Sequence, residues 1–228
     1  MVSEEYFIIR KLKVISEKID YASNMIAHCE ELLVNMKEEG RMILKSLVSY
    51  YEGQIKGNFC GIVSPVICLK HLLPEIFKKV TQRDLYFAYV KDKFWKTKHD
   101  SYYGLSLAQV GSLVSSAAKD KINLKIVQNK SIKDLETQFR KDLKSIFEYN
   151  EKKAILINFY RNYKEHRGGH FSPIAGYSEI KGREYVYILD VAAHRSSPHW
   201  FPLKELIPLM CRFDGKQPRG YLVITRMD

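Results

Sequence analysis

Four residues in this sequence have the types and the order needed for nucleophilic cysteine catalysis. Along the chain they are Gln54, Cys60, His170 and Asp190. A thiolate can attack an acyl carbon, an imidazole can move the proton, and a carboxylate can fix the imidazole tautomer. A glutamine amide can donate a hydrogen bond to the oxyanion formed in the attack. None of the four indicates catalysis alone, but together they predict an acyl-transfer site.

The sequence around Cys60 predicts that its thiol lies at the N-terminus of a helix. Gly57 and Asn58 interrupt regular structure before it, and apolar residues recur after it from Ile62 to Leu73. The N–H groups and dipole of a helix N-terminus favour a thiolate and lower the cysteine pKa from its free value of about 8.5. The alternative is a buried, unreactive cysteine, because free cysteines usually behave as small core residues.

His170 and Asp190 fall in two segments that we predict to pair as a hairpin. His170 follows a glycine pair and opens an apolar run, so we expect it in the first residues of a strand. The next strand is predicted over residues 183–191, with Lys181 and Gly182 as the turn. Antiparallel pairing brings the start of one strand and the end of the next to the same edge. We therefore expect the two side chains to meet.

Beyond these residues, the chain resembles the phytochelatin synthases, a family with a papain-like cysteine peptidase fold that acts on glutathione. The resemblance is carried by SLVSYYEGQIKGNFCG, YYGLSLAQVGSLVSSAA, INFYRNYKEHRGGHFSPIAGYSEIKGREYVYILDVAAHRSSPHWFPL and RGYLVIT. The strings GHFSPI and ILDVA, with PHW after them, are specific to the family. The resemblance implies an α+β fold, in which a helical lobe carries the cysteine and a twisted antiparallel sheet carries the histidine and the carboxylate.

The resemblance also implies a role for each candidate residue. Cys60 corresponds to the nucleophile, His170 to the general base and acid, Asp190 to the orienting carboxylate and Gln54 to the oxyanion-hole donor. Near the C-terminus, two residues correspond to those that hold the amine and the carboxylate of the substrate's γ-glutamyl end. They are Asp214 and Arg219, with Arg212 and Lys216 as possible substitutes.

One departure from the family bears on the second half of the reaction. Ala193 stands where many members have an arginine, and Arg195, two residues on, is expected to reach the same space. The family implies that this neighbourhood receives the second substrate, so the change weakens the expectation of transpeptidation more than that of acyl-enzyme formation. The chain also resembles the short bacterial form without a cysteine-rich extension, which is associated chiefly with glutathione hydrolysis.

The resemblance thus implies a dipeptidyl transferase or hydrolase acting on glutathione and related thiol peptides. Cleavage of the Cys–Gly bond releases glycine and leaves a γ-glutamylcysteinyl thioester on Cys60. Water would then give γ-glutamylcysteine, whereas a second glutathione would give phytochelatins. No cofactor is expected. Heavy-metal ions such as cadmium and zinc are expected as thiolate complexes of the substrate or as activators.

Two other function classes stay open on the residues alone. A papain-like protease or isopeptidase would use the same residues on protein substrates, and a non-catalytic module would bind thiol peptides or nucleic acid without turnover. The formal net charge of +11 favours an anionic partner. However, the basic residues are dispersed among acidic ones and no nucleic-acid-binding signature is present, so nucleic acid is not the expected partner.

Length and composition favour one catalytic domain with an added arm. A chain of 228 residues with 46% hydrophobic content can bury one substantial core. We assign residues 46–228 to the catalytic domain and residues 1–45 to an N-terminal helical arm, in which apolar residues recur at helical spacing. The arm is expected to pack on the catalytic domain; a homodimer contact is the alternative.

The remaining patterns bear on compartment and metals. The four cysteines show no paired spacing, which predicts free thiols in the cytoplasm or another reducing compartment. We expect no cleaved signal peptide, and no run of about 20 apolar residues is present, while delivery by a dedicated export system stays open. His166 and His170 have the spacing of a helical metal pair, but Gly168 and Gly169 disfavour a helix there, so we expect no metal site.

Overall fold

A computed structural model describes residues 23–91, 93–94, 104–149, 152–163 and 166–227 of the chain. Over these residues helices dominate as far as Ala118, and strands dominate from Lys153 onwards. The strands of the larger sheet pair in antiparallel fashion throughout. The fold is therefore α+β, which confirms the predicted class.

Eight α-helices lie within the described residues. They are α1 (Ser23–Val34), α2 (Glu38–Ser49), α3 (Cys60–Leu72), α4 (Pro74–Phe77), α5 (Gln82–Leu85), α6 (Leu107–Ala118), α7 (Ile132–Phe147) and α8 (Leu203–Cys211). A π-helical turn, Tyr86–Val90, continues α5, and a 3-10 turn, Lys119–Lys121, follows α6.

The strands in the described part of the chain form two sheets. They are β1 (Ile122–Val127), β2 (Lys153–Tyr163), β3 (His166–Ile180), β4 (Arg183–Ile188), β5 (His199–Pro202), β6 (Phe213–Asp214), β7 (Gln217–Pro218) and β8 (Gly220–Arg226). The larger sheet has six strands in the order β1-β8-β2-β3-β4-β5, and β6 pairs with β7 in a small hairpin. The C-terminal strand β8 thus inserts between the edge strand β1 and β2.

Helix α3 lies at the centre of the core. Its residues are apolar on all sides, a pattern that requires burial around the whole helix, and every residue from Cys60 to Leu69 is buried. The helix packs against β2 and β3. Gly61 permits this close approach, because a Cβ there would lie 3.1 Å from Val110 Cγ2 and 3.4 Å from Phe171 Cδ2.

The predicted hairpin is formed by β3 and β4. Lys181 and Gly182 make the turn, with φ of 48° and 73°, as the sequence predicts. His170 is not among the first residues of its strand, however, but is the fifth residue of β3. The glycine pair does not end the pairing, because Gly168 and Gly169 stay opposite Arg161 and Tyr160 of β2. Extended backbone also excludes a helical metal pair here.

The described part of the predicted arm packs on the rest of the fold, while residues 1–22 lie outside the described residues. Leu32 of α1 and Leu44 of α2 are buried in the common core. Ser178 Oγ of β3 donates a hydrogen bond to the Leu32 carbonyl oxygen at 2.7 Å. Helix α2 continues through residue 45, and the division of the chain at that point stays a prediction. Among the described helices, none has the length and apolar character to cross a membrane.

Candidate active site

Cys60 is the first residue of α3, the position that the sequence predicts. Its side chain is buried, with 8% relative exposure. Burial raises the pKa of the Cys60 thiol, but the neighbouring His170, followed by the Phe171 backbone and Arg161, more than offsets this effect. The net effect is a lowered pKa, which favours the nucleophilic thiolate.

His170 and Asp190 form a buried hydrogen bond. His170 Nε2 lies 2.8 Å from Asp190 Oδ1, and the side chains are 1% and 0% exposed. Burial alone would lower the pKa of His170, but the charge and hydrogen bond of Asp190, with a contribution from Cys60, raise it to about 9. Burial would raise the pKa of Asp190, but His170 and then Arg161 hold it well below its usual range. The arrangement favours an imidazolium beside a carboxylate.

The second ring nitrogen of His170 is available to the nucleophile. Because an ionised carboxylate only accepts hydrogen bonds, Nε2 donates to Asp190 and Nδ1 is left for Cys60. Nδ1 is buried and makes no hydrogen bond of regular geometry with the described residues. Catalytic hydrogen bonds are often long before substrate binds, and the nearby charge of His170 favours the Cys60 thiolate by lowering the pKa of the thiol.

Asp190 is held from several sides. Its Oδ1 also accepts a hydrogen bond from the backbone N–H of Ala192 at 2.8 Å. Nη1 of Arg161, a buried residue of β2, lies 3.6 Å from Oδ2. The hydroxyl of Tyr51 donates to the Asp190 carbonyl oxygen at 2.9 Å. These contacts fix the carboxylate that orients His170.

Gln54 lies against the chain that follows Asp190. Its backbone N–H donates to the Val191 carbonyl oxygen at 2.8 Å. The Oε1 atom of its half-buried side chain has no hydrogen-bond partner among the described residues. The structure therefore brings the proposed oxyanion-hole segment and the carboxylate segment into direct contact, although they are far apart in sequence.

Asp214 and Arg219 form an ion pair next to the strand that carries His170. Arg219 Nη2 lies 3.0 Å from Asp214 Oδ1, and Nη1 donates to Asn158 Oδ1 at 3.0 Å. The Arg219 guanidinium occupies the space beside Gly169, where a Cβ would lie 2.1 Å from Nη1. Arg219 is 7% exposed. The two residues implied to hold the γ-glutamyl end are thus together, beside the glycine that precedes His170 in β3.

The other sequence candidates lie on the surface. Arg195 is exposed in the turn after Asp190, where its N–H donates to the Ala192 carbonyl oxygen at 2.7 Å. Arg212 is exposed, and its guanidinium stacks over the Tyr160 ring at 4.5 Å. Lys216 is exposed in the turn of the β6–β7 hairpin. None of these exposed positions is fixed as firmly as Arg219.

Two buried residues of the site, Arg161 and Asn158, were not predicted from the sequence. Both lie in β2, in the run AILINFYR, where a charged or amide side chain interrupts apolar neighbours. A buried polar group needs a partner, so this interruption is a signal that could have marked them. The partners themselves, Asp190 and Arg219, are distant in sequence and could not be read from it.

A family model described as phytochelatin synthase matches residues 9–221 of the chain. A Lotus japonicus protein named glutathione gamma-glutamylcysteinyltransferase 3 is 27% identical over 186 residues, which cover 79% of this chain and 37% of that protein. Glutathione gamma-glutamylcysteinyltransferase 2 of Arabidopsis thaliana is 29% identical over 194 residues, 79% of this chain and 39% of its own length.

A further curated relative and a solved structure also align with this chain. Glutathione gamma-glutamylcysteinyltransferase of Schizosaccharomyces pombe is 37% identical over 102 residues, 43% of this chain and 24% of that protein. The chain thus spans well under half the length of these curated relatives. Among solved structures, a variant of the Salmonella effector SpvD aligns with a TM-score of 0.36 at 12% identity, over 85% of this chain and 80% of that one.

Proposed function

Because this chain belongs to the phytochelatin synthase family, we propose that it cleaves the Cys–Gly amide of glutathione with Cys60 as nucleophile. The observation that carries the proposal is the buried 2.8 Å hydrogen bond between His170 and Asp190, beside a thiol whose pKa is lowered by His170. The fold that we propose is papain-like, with α3 carrying the nucleophile and the antiparallel sheet carrying the base.

The first half-reaction forms an acyl-enzyme. The Cys60 thiolate attacks the amide carbonyl carbon, and the electron pair moves onto the carbonyl oxygen. When the carbonyl reforms, the C–N bond breaks and the departing glycine nitrogen takes the proton from Nδ1 of His170. Asp190 stabilises the imidazolium and keeps its Nδ1 directed at the reacting atoms. The product is a γ-glutamylcysteinyl thioester, with glycine released.

Gln54 stabilises the oxyanion in this scheme. A side-chain amide carries two N–H donors, and one of them directed at the carbonyl oxygen offsets the charge that develops in the attack. The half-buried position of the side chain supports this role, because hydrogen bonds to a charged oxygen are stronger where water is partly excluded. Its donor must be held in place before the reaction to be effective.

Asp214 and Arg219 bind the γ-glutamyl end. This end of glutathione carries an amine and a carboxylate on one carbon, and a paired carboxylate and guanidinium are complementary to it. In the free protein the two side chains satisfy each other at 3.0 Å. Binding exchanges this contact for two contacts with the zwitterion, with Asp214 on the amine and Arg219 on the carboxylate.

Water or a second thiol peptide resolves the thioester. Water gives γ-glutamylcysteine, and the amine of a second glutathione gives a phytochelatin, with the metal thiolate of glutathione as the acceptor in the family's reaction. At Ala193 the chain has only a methyl group, whose Cβ lies 3.5 Å from where a Cβ at Gly53 would be. Because Arg195 is exposed to solvent rather than fixed at this position, we propose that hydrolysis predominates.

Mass spectrometry of the products tests the proposal. Wild type and Cys60→Ser are incubated with reduced glutathione, with and without cadmium or zinc, and Cys68→Ser serves as the matched control. Glycine and γ-glutamylcysteine should appear with wild type and Cys68→Ser but not with Cys60→Ser, and longer peptides would reveal transfer. Intact glutathione after incubation with folded, reduced wild type would contradict the proposal and direct the search to protein substrates.

A further inference from the structure

Gln82 uses both ends of its side-chain amide on the backbone around Gln54. Its Nε2 donates to the Gly53 carbonyl oxygen at 2.9 Å, and its Oε1 accepts from the Ile55 N–H at 3.0 Å. Gln82 is 3% exposed. The two peptide groups that flank Gln54 are therefore held by one buried side chain that lies outside the catalytic set.

The backbone that carries Gln82 is fixed by hydrogen bonds at the start of α5. Gln82 is the first residue of α5, and Thr81 caps that helix through a reciprocal pair of hydrogen bonds with Asp84. The Asp84 N–H donates to Thr81 Oγ1 at 3.3 Å, and the Thr81 N–H donates to Asp84 Oδ2 at 2.8 Å. The capped helix start fixes the backbone from which the Gln82 amide extends.

The opposite side of the same segment is hydrogen-bonded to the backbone of Asp190 and Val191. Gln54 donates its N–H to Val191 at 2.8 Å, and the Tyr51 hydroxyl donates to the Asp190 carbonyl oxygen at 2.9 Å. The segment that carries Gln54 is thus held between α5 and the chain that follows β4. Without Gln82 the segment would lose both hydrogen bonds to α5, while the bonds to Val191 and Asp190 would remain.

We propose that Gln82 is a positioning residue that fixes Gln54 as the oxyanion donor. The inference rests on the proposed acyl-transfer chemistry at Cys60. An oxyanion donor that shifts by about 1 Å can cost about a hundredfold in rate, so restraining the backbone on both sides of Gln54 has a direct catalytic effect. The role requires a donor and an acceptor in one side chain, and the primary amide of Gln82 supplies both.

The first test compares three variants in the glycine-release assay. Gln82→Leu removes both hydrogen bonds, Gln82→Glu keeps the acceptor for Ile55, and Gln109→Leu is the matched control. Gln109 accepts from the Ser106 N–H at 2.8 Å at the start of α6. We expect kcat to fall about tenfold to a hundredfold in Gln82→Leu, less in Gln82→Glu, and less than twofold in Gln109→Leu, with KM within about twofold in all.

The second test asks whether the loss passes through Gln54. Gln82→Leu is combined with Gln54→Ala, and kcat is measured for all four members of the cycle. If Gln82 acts by positioning Gln54, Gln82→Leu should change kcat less than twofold once Gln54 is gone. An equal loss in both backgrounds, or an unchanged kcat in the single variant, would overturn the proposal. Circular dichroism establishes folding, and Gln82→Glu supplies the cycle if Gln82→Leu is unfolded.

An activated ester separates this proposal from the identity of the substrate. With p-nitrophenyl acetate, the Cys60 thiolate attacks the ester carbonyl, p-nitrophenolate leaves with the electron pair of the C–O bond, and an acetyl thioester remains. The double-mutant cycle of Gln82→Leu and Gln54→Ala is repeated with this ester, and the rate of the p-nitrophenolate burst is measured for each member. If wild type is acetylated at Cys60 but leaves glutathione intact, the proposed substrate is wrong. The double-mutant cycle measured with the ester would still decide the role of Gln82.

Discussion

Arg161 places its Nη1 3.6 Å from Oδ2 of Asp190, in an ion pair whose side chains are 6% and 0% exposed. The other carboxylate oxygen of Asp190 accepts from His170. The orienting carboxylate therefore lies between two groups that favour its charged form. Each of these contacts contributes to the lowered pKa of Asp190, and Arg161 also lowers the pKa of the Cys60 thiol.

Replacing Arg161 by methionine should make the nucleophile less acidic. Because the arginine charge lowers the pKa of Cys60, its removal raises that pKa and moves the midpoint of Cys60 alkylation by iodoacetamide to higher pH. Arg161→Lys should lie between wild type and Arg161→Met. The control is Arg140→Met, which removes an arginine paired with Glu184 at 2.6 Å. An unchanged midpoint in Arg161→Met would contradict the assignment.

Replacing Asp190 by asparagine should shift the alkaline limb of activity. The charge and hydrogen bond of Asp190 raise the pKa of His170 to about 9 against the effect of burial, so their loss lowers that pKa. Activity needs the imidazolium to protonate glycine, and the imidazolium is then lost at lower pH. We expect the alkaline limb of kcat/KM to move below pH 9 and the rate to fall at least about a hundredfold.

The matched control for that experiment is Asp142→Asn. Asp142 is also buried, but it accepts from the Tyr221 hydroxyl at 2.7 Å and pairs with Lys125 at 3.2 Å in a separate polar cluster. The alkaline limb of the kcat/KM profile of Asp142→Asn should match that of wild type. If Asp190→Asn also keeps the wild-type limb, Asp190 does not set the protonation of His170.

Replacing Gly169 by alanine should weaken substrate binding by displacing Arg219. The new Cβ would overlap Arg219 Nη1, so the guanidinium must move and give up its buried hydrogen bond to Asn158. The moved guanidinium would leave Asp214 and the γ-glutamyl carboxylate site, so KM should rise about tenfold with kcat less affected. Gly57→Ala, where a Cβ meets no atom within 4 Å, is the control. A KM that matches wild type would argue against Arg219 as a substrate ligand.

Two cysteines of one helix should differ strongly in reactivity. Cys68 is 0% exposed and burial raises its pKa to about 12, whereas the pKa of Cys60 is lowered. Both are free thiols. At pH 7 iodoacetamide should modify Cys60 at least about a hundredfold faster than Cys68, as followed by peptide mass spectrometry. Rapid modification of Cys68 in folded Cys60→Ser would show that burial does not protect it.

Local sequence patterns predicted two elements that position the candidate site. The helix beginning at Cys60 and the Lys181–Gly182 turn follow from apolar runs and turn residues over a few positions, and the structure confirms both. The start of β3 was placed too late, because glycines that often end a strand here stay paired with β2. The catalytic roles of Cys60 and His170 stay predictions that the experiments above address.

The supporting contacts could not be predicted in the same way. Arg161, Asn158 and Gln82 each act through a partner that is far away in sequence, so no local pattern names it. Gln82 is the clearest case, since a glutamine at the start of a short helix carries no chemical signature. Only the three-dimensional structure places its amide on both sides of Gln54.

The separation of Cys60 on α3 from His170 and Asp190 on the hairpin has a consequence for the newly made chain. During synthesis Cys60 emerges well before His170, and a cysteine without its partners has an ordinary pKa of about 8.5 and is mostly protonated at neutral pH. The imidazole that lowers that pKa reaches the thiol only when the sheet packs on α3. In a nascent or unfolded chain the Cys60 thiol is therefore mostly protonated and weakly reactive, and it becomes a strong nucleophile only when the fold is complete.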